Sequence, residues 1–193
     1  MIRFTQGVAA ISMLALSAVA AAQSFPAKPI RVVIPFGAGG SSDIVGRAIA
    51  GKFQELLGQP GVVENKPGAN GAIAAEFVAK ADPDGYTILV GSIGVFSINA
   101  ALFKDLRYNP VRDFAPFTLA VTTPNVLITK PTLPANSPKE LVEFMKKNPG
   151  KLSYCSSGTA SSDHLTAELL KQATGTDAVH VPYKGGAACQ TDI

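Results

Sequence analysis

The stretch IRVVIPFGAGGSSD, residues 30–43, decides the fold. Its apolar, β-branched first half predicts a buried strand over residues 30–35, and the loop after it leads into a helical pattern that begins at Ser42. Backbone N–H groups point out of the first turn of such a helix, and the helix dipole favours negative charge there. Glycine in the loop lets a ligand come close to the backbone. The pattern therefore predicts a binding site for a small anion.

Strands and helices alternate in the first half of the chain. Strand patterns cover residues 30–35, 62–65 and 86–90, and helical patterns over residues 42–57 and 72–80 lie between them. Gly58 is expected to end the first helix. This β-α-β-α-β order predicts a parallel sheet with right-handed crossovers.

A second group of elements follows a proline-punctuated passage. Ser137-Pro138-Lys139-Glu140 is a capping box with proline at the first helical position, so a helix should begin there and end near Asn148. A further helix is predicted over residues 163–174. The expected strands of this group cover residues 126–129, 152–155 and 178–181. We therefore divide the chain into a first lobe, residues 23–122, and a second lobe, residues 123–193.

One arrangement occurs twice in this pattern. A strand ends in a glycine- and serine-rich loop that opens a helix, first at residues 35–43 and again at residues 155–163. Ligands of open α/β proteins bind outside the carboxyl ends of the strands. Two such loops on facing lobes would form a cleft with a positive helix end on each wall. Hinge closure over a small carboxylate is the motion that suits this geometry.

The first 22 residues have the pattern of a secretory signal peptide. Arg3 is their only charged residue, residues 8–20 are apolar, and residues 20–22 are three alanines suited to cleavage. The alternative is a membrane anchor, but the apolar run is shorter than the roughly 20 residues that a span needs. We therefore expect export to the periplasm.

The composition excludes several classes of function. A formal net charge of +3 over 193 residues is too small to indicate nucleic-acid binding. With two histidines in the chain, a His-rich metal site is not available, and we predict neither a metal nor a cofactor. Cys155 and Cys189 could pair in an exported protein, but their spacing does not show that they meet. Two free cysteines are the simpler expectation, and a disulfide between them is the alternative.

Two enzymatic interpretations compete with the binding function. Residues 37–42, GAGGSS, approach the dinucleotide-binding fingerprint, but Ser42 stands where the third glycine belongs. A nucleophile, Cys155 or Ser157, could pair with His164, but the chain has no Gly-x-Ser-x-Gly elbow. A tight loop that binds nothing is a further alternative for residues 35–43.

Motifs along nearly all of residues 23–186 resemble the Bug-type receptors of tripartite tricarboxylate transporters. They are KPIR (28–31), PFGAGG (35–40) with Asp43, VENKPGA (63–69), DGYT (84–87), LSY (152–154), SSG (156–158), HL (164–165) and VHVPYKGG (179–186).

This resemblance implies an α/β fold of the type II periplasmic binding proteins, with two lobes and mostly parallel sheets. It also implies a receptor, not an enzyme, that captures a small carboxylate and delivers it to membrane transporter subunits; we expect a monomer. The ligand-binding residues carried over from the family are Phe36, Gly37, Ala38, Gly39, Ser41, Ser42, Asp43, Ser156, Ser157, Gly158, Thr159, His164, Lys184 and Gly185.

The chain also departs from the family pattern. Cys155 stands where glycine is usual, and Asp163 replaces a residue that is commonly serine or proline. The residues after Gly186 leave the pattern, whereas family members continue for well over a hundred residues. We therefore expect a receptor without its C-terminal part and an incomplete second lobe. A non-functional receptor fragment, and an exported α/β enzyme, remain as alternatives.

Overall fold

A computed structural model describes residues 25–193 of the chain. The predicted signal peptide, residues 1–22, lies outside the described residues. Within residues 25–193, no helix is long and apolar enough to cross a bilayer.

The first sheet has three parallel strands. They are β1 (Ile30–Ile34), β2 (Gly61–Asn65) and β3 (Thr87–Leu89), in the spatial order β2-β1-β3. The side chains of Val32, Val33 and Ile34 are completely buried. Successive residues of a strand point to opposite faces, so both faces of β1 are covered, as expected for the central strand of a parallel sheet.

Helices connect these strands as the sequence predicts. Helix α1 (Ser41–Leu57) ends at Gly58, which has the left-handed conformation and donates its N–H to the Gln54 carbonyl at 3.2 Å. Helix α2 (Ala72–Ala79) joins β2 to β3. After β3 a π-helical turn (Gly94–Ile98) runs into the short helix α3 (Asn99–Leu102).

The second sheet has two parallel strands, β4 (Ser153–Ser156) and β5 (Val179–Pro182). Helix α4 (Pro138–Lys147) precedes them, with Ser137 as its N-cap. Helix α5 (Ser162–Thr174) connects them, and helix α6 (Gly186–Asp192) follows β5. Leu141, Met145 and Ala178 form the buried centre of this part.

The predicted strand over residues 126–129 is wrong. Residues 114–130 contain neither helix nor strand, and the side chains of Val126, Leu127 and Ile128 are exposed. A strand needs a neighbour to hydrogen-bond with, and no described strand lies beside this segment. The boundary between the lobes at residues 122 and 123 falls in the same irregular passage and stays a prediction.

The expectation of two free cysteines is also wrong. Cys155 of β4 and Cys189 of α6 form a disulfide, with their Cα atoms 5.6 Å apart. The pairing depends on α6, a helix that the sequence patterns did not predict. Because α6 packs back on β4, two cysteines separated by 34 positions are brought into contact.

Candidate functional site

A small cavity of about 90 Å³ lies where the two sheets meet. A site for one water needs roughly 10–15 Å³ on this scale, so the cavity has room for a group the size of a carboxylate and some water. Its walls come from the carboxyl ends of strands in both sheets. The lining residues are Phe36, Gly40, Ser41, Ser42, Asn70, Ser92, Ser157, Ser161, Ser162 and Gly186.

The start of α1 presents unused hydrogen-bond donors to this cavity. Gly40 is the N-cap and has no side chain to cap the helix, so the first N–H groups are not satisfied by a cap. The hydroxyl groups of Ser41 and Ser42 make no hydrogen bond within residues 25–193. This wall therefore offers donors that a negatively charged ligand can use.

Asp43 holds the loop before α1 in place. Its carboxylate accepts the Gly39 N–H at 2.9 Å, the Asn65 amide at 2.8 Å and the Arg47 Nε–H at 2.8 Å. The Arg47 hydrogen bond is the main reason that the pKa of Asp43 is lowered to about 2. With these contacts, the side chain positions the glycine loop and does not line the cavity.

The start of α5 is arranged differently. Ser161 caps it, accepting the His164 N–H at 3.3 Å and donating its hydroxyl to the Gly158 carbonyl at 2.6 Å. Asp163 accepts both the N–H and the hydroxyl of Ser157 at 2.7 Å. Burial raises the pKa of Asp163, but its interactions with Ser161 and Ser157 outweigh this and hold the pKa below its ordinary value.

Two stacked histidines lie behind this second loop. The rings of His164 and His180 are 3.9 Å apart, and the His164 Nδ1 accepts the Ala160 N–H at 3.1 Å. The His180 Nε2 lies 2.7 Å from the Ser156 hydroxyl, and burial, followed by the neighbouring His164, lowers the pKa of His180. Both rings brace the loop from outside the cavity.

Asn70 joins three parts of the molecule beside the cavity. Its amide donates to the Asn99 Oδ1 and to the Ala160 carbonyl, each at 2.9 Å. These two acceptors determine which way the amide points. The remaining oxygen, Asn70 Oδ1, is buried and has no hydrogen-bond partner within residues 25–193. The Ala160 contact ties the loop after β2 to the loop after β4.

The last loop of the chain contacts the first through backbone atoms. The Gly37 N–H donates to the Lys184 carbonyl at 2.9 Å. Gly185 has a φ of 138°, and a Cβ there would lie 3.2 Å from the Gly37 nitrogen, so glycine permits the close approach. Lys184 and Gly185 thus meet the first loop by their backbone.

The structure brings the two predicted loops together, but only some of the predicted site residues line the cavity. Phe36, Ser41, Ser42 and Ser157 line the cavity. The others hold the loops or lie beside them, and their role in ligand binding stays a prediction. They are Gly37, Ala38, Gly39, Asp43, Ser156, Gly158, Thr159, His164, Lys184 and Gly185.

Six lining residues were not among the predicted site residues: Gly40, Asn70, Ser92, Ser161, Ser162 and Gly186. Asn70 and Ser92 follow β2 and β3, and the carboxyl ends of parallel strands meet at one edge of a sheet. That rule could have found both residues from the sequence. Ser161 is the N-cap of α5, and Ser162 is the first residue of that helix.

Among residues 25–193, no group of His, Cys, Asp or Glu side chains is arranged to hold a metal ion. The donors that reach the cavity are backbone N–H groups and hydroxyls. Such a site can bind an anion by hydrogen bonding.

Comparison with known proteins identifies relatives. Residues 45–193 match the family described as the tripartite tricarboxylate transporter family receptor. A UPF0065 protein of Bordetella pertussis is 42% identical over 182 residues, which cover 93% of this chain and 55% of that protein. The chain thus spans about half the length of the curated relatives it matches.

Solved structures share the fold. R. palustris Rpa4515, solved with adipate, is 36% identical, with a TM-score of 0.85 over 88% of this chain and 56% of that one. The periplasmic binding protein BugD is 35% identical, with a TM-score of 0.72 over 87% of this chain and 56% of that one. These neighbours confirm the α/β periplasmic-binding-protein fold with parallel sheets.

Proposed function

Because this chain belongs to the tripartite tricarboxylate transporter receptor family, we propose that it forms the ligand-gripping part of a periplasmic receptor for small organic acids. The receptor would pass its ligand to the membrane subunits of a transporter. It would work as a monomer and bind its ligand without changing it chemically.

The observation that carries this proposal is the meeting of two strand-to-helix junctions in one cavity. The α1 start supplies free N–H groups and the hydroxyls of Ser41 and Ser42, while Ser157 and Ser162 stand on the opposite wall. A helix start attracts negative charge. A carboxylate matches the free donors of α1 in size and charge.

The mechanism follows from which groups remain free. A ligand carboxylate accepts hydrogen bonds from the first turn of α1, while Asp43 keeps the glycine loop in the shape that presents those N–H groups. Contacts between the loops, such as that of Gly37 with Lys184, hold the two walls together around the ligand. Burial of the carboxylate away from water strengthens each of these hydrogen bonds.

The relatives support the same class of ligand. The family is described as a receptor of tricarboxylate transporters, and the Rpa4515 structure holds adipate, an organic diacid. Export to the periplasm is expected from the signal-peptide pattern and from BugD, a periplasmic binding protein.

Isothermal titration calorimetry with matched acids and neutral amides tests the proposal. The panel pairs acetate with acetamide, succinate with succinamide and adipate with adipamide. We expect one or more acids to bind and to raise the melting temperature by mass action, whereas the neutral amides do neither. Binding of the neutral compounds alone, or of no compound in a wider panel of organic acids, would contradict the proposal.

A further inference from the structure

The two helix starts that border the cavity differ in charge. On α1, the Asp43 carboxylate forms an ion pair with Arg47 at 2.8 Å. On α5, the Asp163 carboxylate accepts hydrogen bonds from Ser157, and no Lys, Arg or His of residues 25–193 forms an ion pair with it. The negative charge of Asp163 therefore offsets the positive end of its helix, while that of Asp43 is neutralised.

The walls also differ in the donors that remain free. The hydroxyl of Ser157 is donated to Asp163, and that of Ser161 is donated to the Gly158 carbonyl. Both amide hydrogens of Asn70 face protein acceptors, and this residue, only 8% exposed, keeps one unpartnered oxygen, Oδ1. These three side chains thus have lone pairs, but no spare hydrogen, to offer a ligand. The Ser162 hydroxyl, on the same wall as Ser157, is directed at the Asn125 Oδ1 at 3.5 Å. At the start of α1, in contrast, the hydroxyls of Ser41 and Ser42 have no acceptor within residues 25–193.

We infer that the ligand is a monoanion: a small acid whose single carboxylate binds at the start of α1 and whose other polar group donates hydrogen bonds toward Ser157, the lining residue that Asp163 holds in place. An amide, a hydroxyl or an ammonium group meets this requirement. A second carboxylate would face the Ser157 lone pairs, with the negative charge of Asp163 one hydrogen bond behind them. This inference rests on the proposed function and adds the charge of the ligand to it.

Succinate and succinamate provide a direct test, because they have nearly the same shape and differ in charge and in one N–H donor group. Repulsion between two charges several ångströms apart near a protein surface corresponds to about a tenfold change in Kd. Calorimetry on the purified protein should therefore give a Kd for succinamate about tenfold lower than that for succinate. The pairs glutarate and glutaramate, and adipate and adipamate, extend the test to longer acids.

The variant Asp163→Asn removes the charge and keeps the size of the side chain. It should bring the two Kd values of a pair to within about threefold, chiefly by tightening the binding of the diacid. Asp177→Asn is the matched control, since it removes one negative charge from an exposed carboxylate beyond the other end of α5. Asp177→Asn should leave the ratio of the two Kd values unchanged. Circular dichroism checks that both variants fold. The comparison of succinate with succinamate uses the unsubstituted protein and depends on neither variant.

Each outcome decides the question. Equal or tighter binding of the diacid by the unsubstituted protein would overturn the inference and leave the proposed function intact. If Asp163→Asn does not change the ratio of the two Kd values, the inference is also overturned, since Asp163 then has no part in selecting the ligand. Binding of neither member of any pair would contradict the proposed function itself.

Discussion

The N–H of Gly37 donates to the carbonyl of Lys184 at 2.9 Å, joining the loop after β1 to the loop after β5. These residues are separated by most of the chain, and they follow strands of different sheets. The contact leaves little space, because a Cβ at Gly37 would lie 3.0 Å from the Lys184 oxygen. It is one of the points where the backbone itself sets the distance between the two walls of the cavity.

Gly37→Ala should therefore disturb both stability and binding. We expect a loss of about 1–2 kcal/mol in the free energy of unfolding, since the backbone must shift to accept the methyl group. Urea denaturation and calorimetry with the best acid measure the two effects. Gly51→Ala is the control, because a Cβ there contacts nothing within 4 Å and alanine is favoured inside a helix. Equal stability of the two variants would contradict the prediction.

Ser41→Pro tests the backbone donors of α1 without a change in side-chain charge. Proline is well accepted at the first position of a helix, and the preceding residue, Gly40, already has the extended conformation that proline requires. The variant should fold normally and bind the acid about tenfold or more weakly, because one N–H donor to the carboxylate is lost.

Ser41→Ala separates the two groups of this residue, since it removes the hydroxyl and keeps the N–H. We expect its effect on Kd to be smaller than that of the proline variant. An unchanged Kd for Ser41→Pro would show that this N–H does not contact the ligand.

Asp43→Asn should weaken the fold by about 2 kcal/mol at pH 7, because the buried Asp43 carboxylate loses its charge-assisted hydrogen bond from the half-exposed Arg47. The pKa of Asp43 in the folded protein is about 2, below its ordinary value of 3.8. A lowered carboxyl pKa stabilises the fold above the ordinary pKa, and this contribution is lost as the pH falls toward the folded pKa.

The difference in stability between the unsubstituted protein and Asp43→Asn should therefore shrink between about pH 4 and pH 2. Urea denaturation at several pH values measures it, with Asp177→Asn as the exposed control, for which we expect a change of at most about 0.5 kcal/mol. A difference that stays constant down to about pH 2 would contradict the assignment of the effect to Asp43.

The local features of the fold could be predicted from the sequence. The apolar run of β1, the glycine that ends α1 and the capping serine of α4 each act through neighbouring residues, and each is confirmed. The glycine- and serine-rich loops at the two strand ends also stand where the pattern placed them, and they meet in one cavity.

Individual contacts between distant residues could not be predicted. Asn70 contacts the carbonyl of Ala160 across 90 positions, and no local pattern indicates that pairing. The apolar residues 126–129 have strand composition, but a strand also needs a neighbour to bond with. The disulfide of Cys155 required the position of α6, which spacing alone does not give.

The disulfide itself should contribute substantially to stability. Cys155 and Cys189 are 34 positions apart, for which loop-closure entropy predicts about 3–4 kcal/mol. Thermal unfolding with and without dithiothreitol should show a lower melting temperature under reducing conditions. The double variant Cys155→Ser, Cys189→Ser should unfold at that lower temperature in both conditions. Alkylation of two thiols in the unreduced protein would contradict the pairing.

A crystal structure of the protein with its best-binding acid tests the central claim most directly. We predict the ligand in the cavity between the two sheets, with a carboxylate oxygen hydrogen-bonded, directly or through one water, to the first turn of α1, and with another polar group of the ligand facing the wall formed by Ser157 and Ser162. A ligand that contacts only one of the two walls, or that binds at another surface of the molecule, would contradict the account.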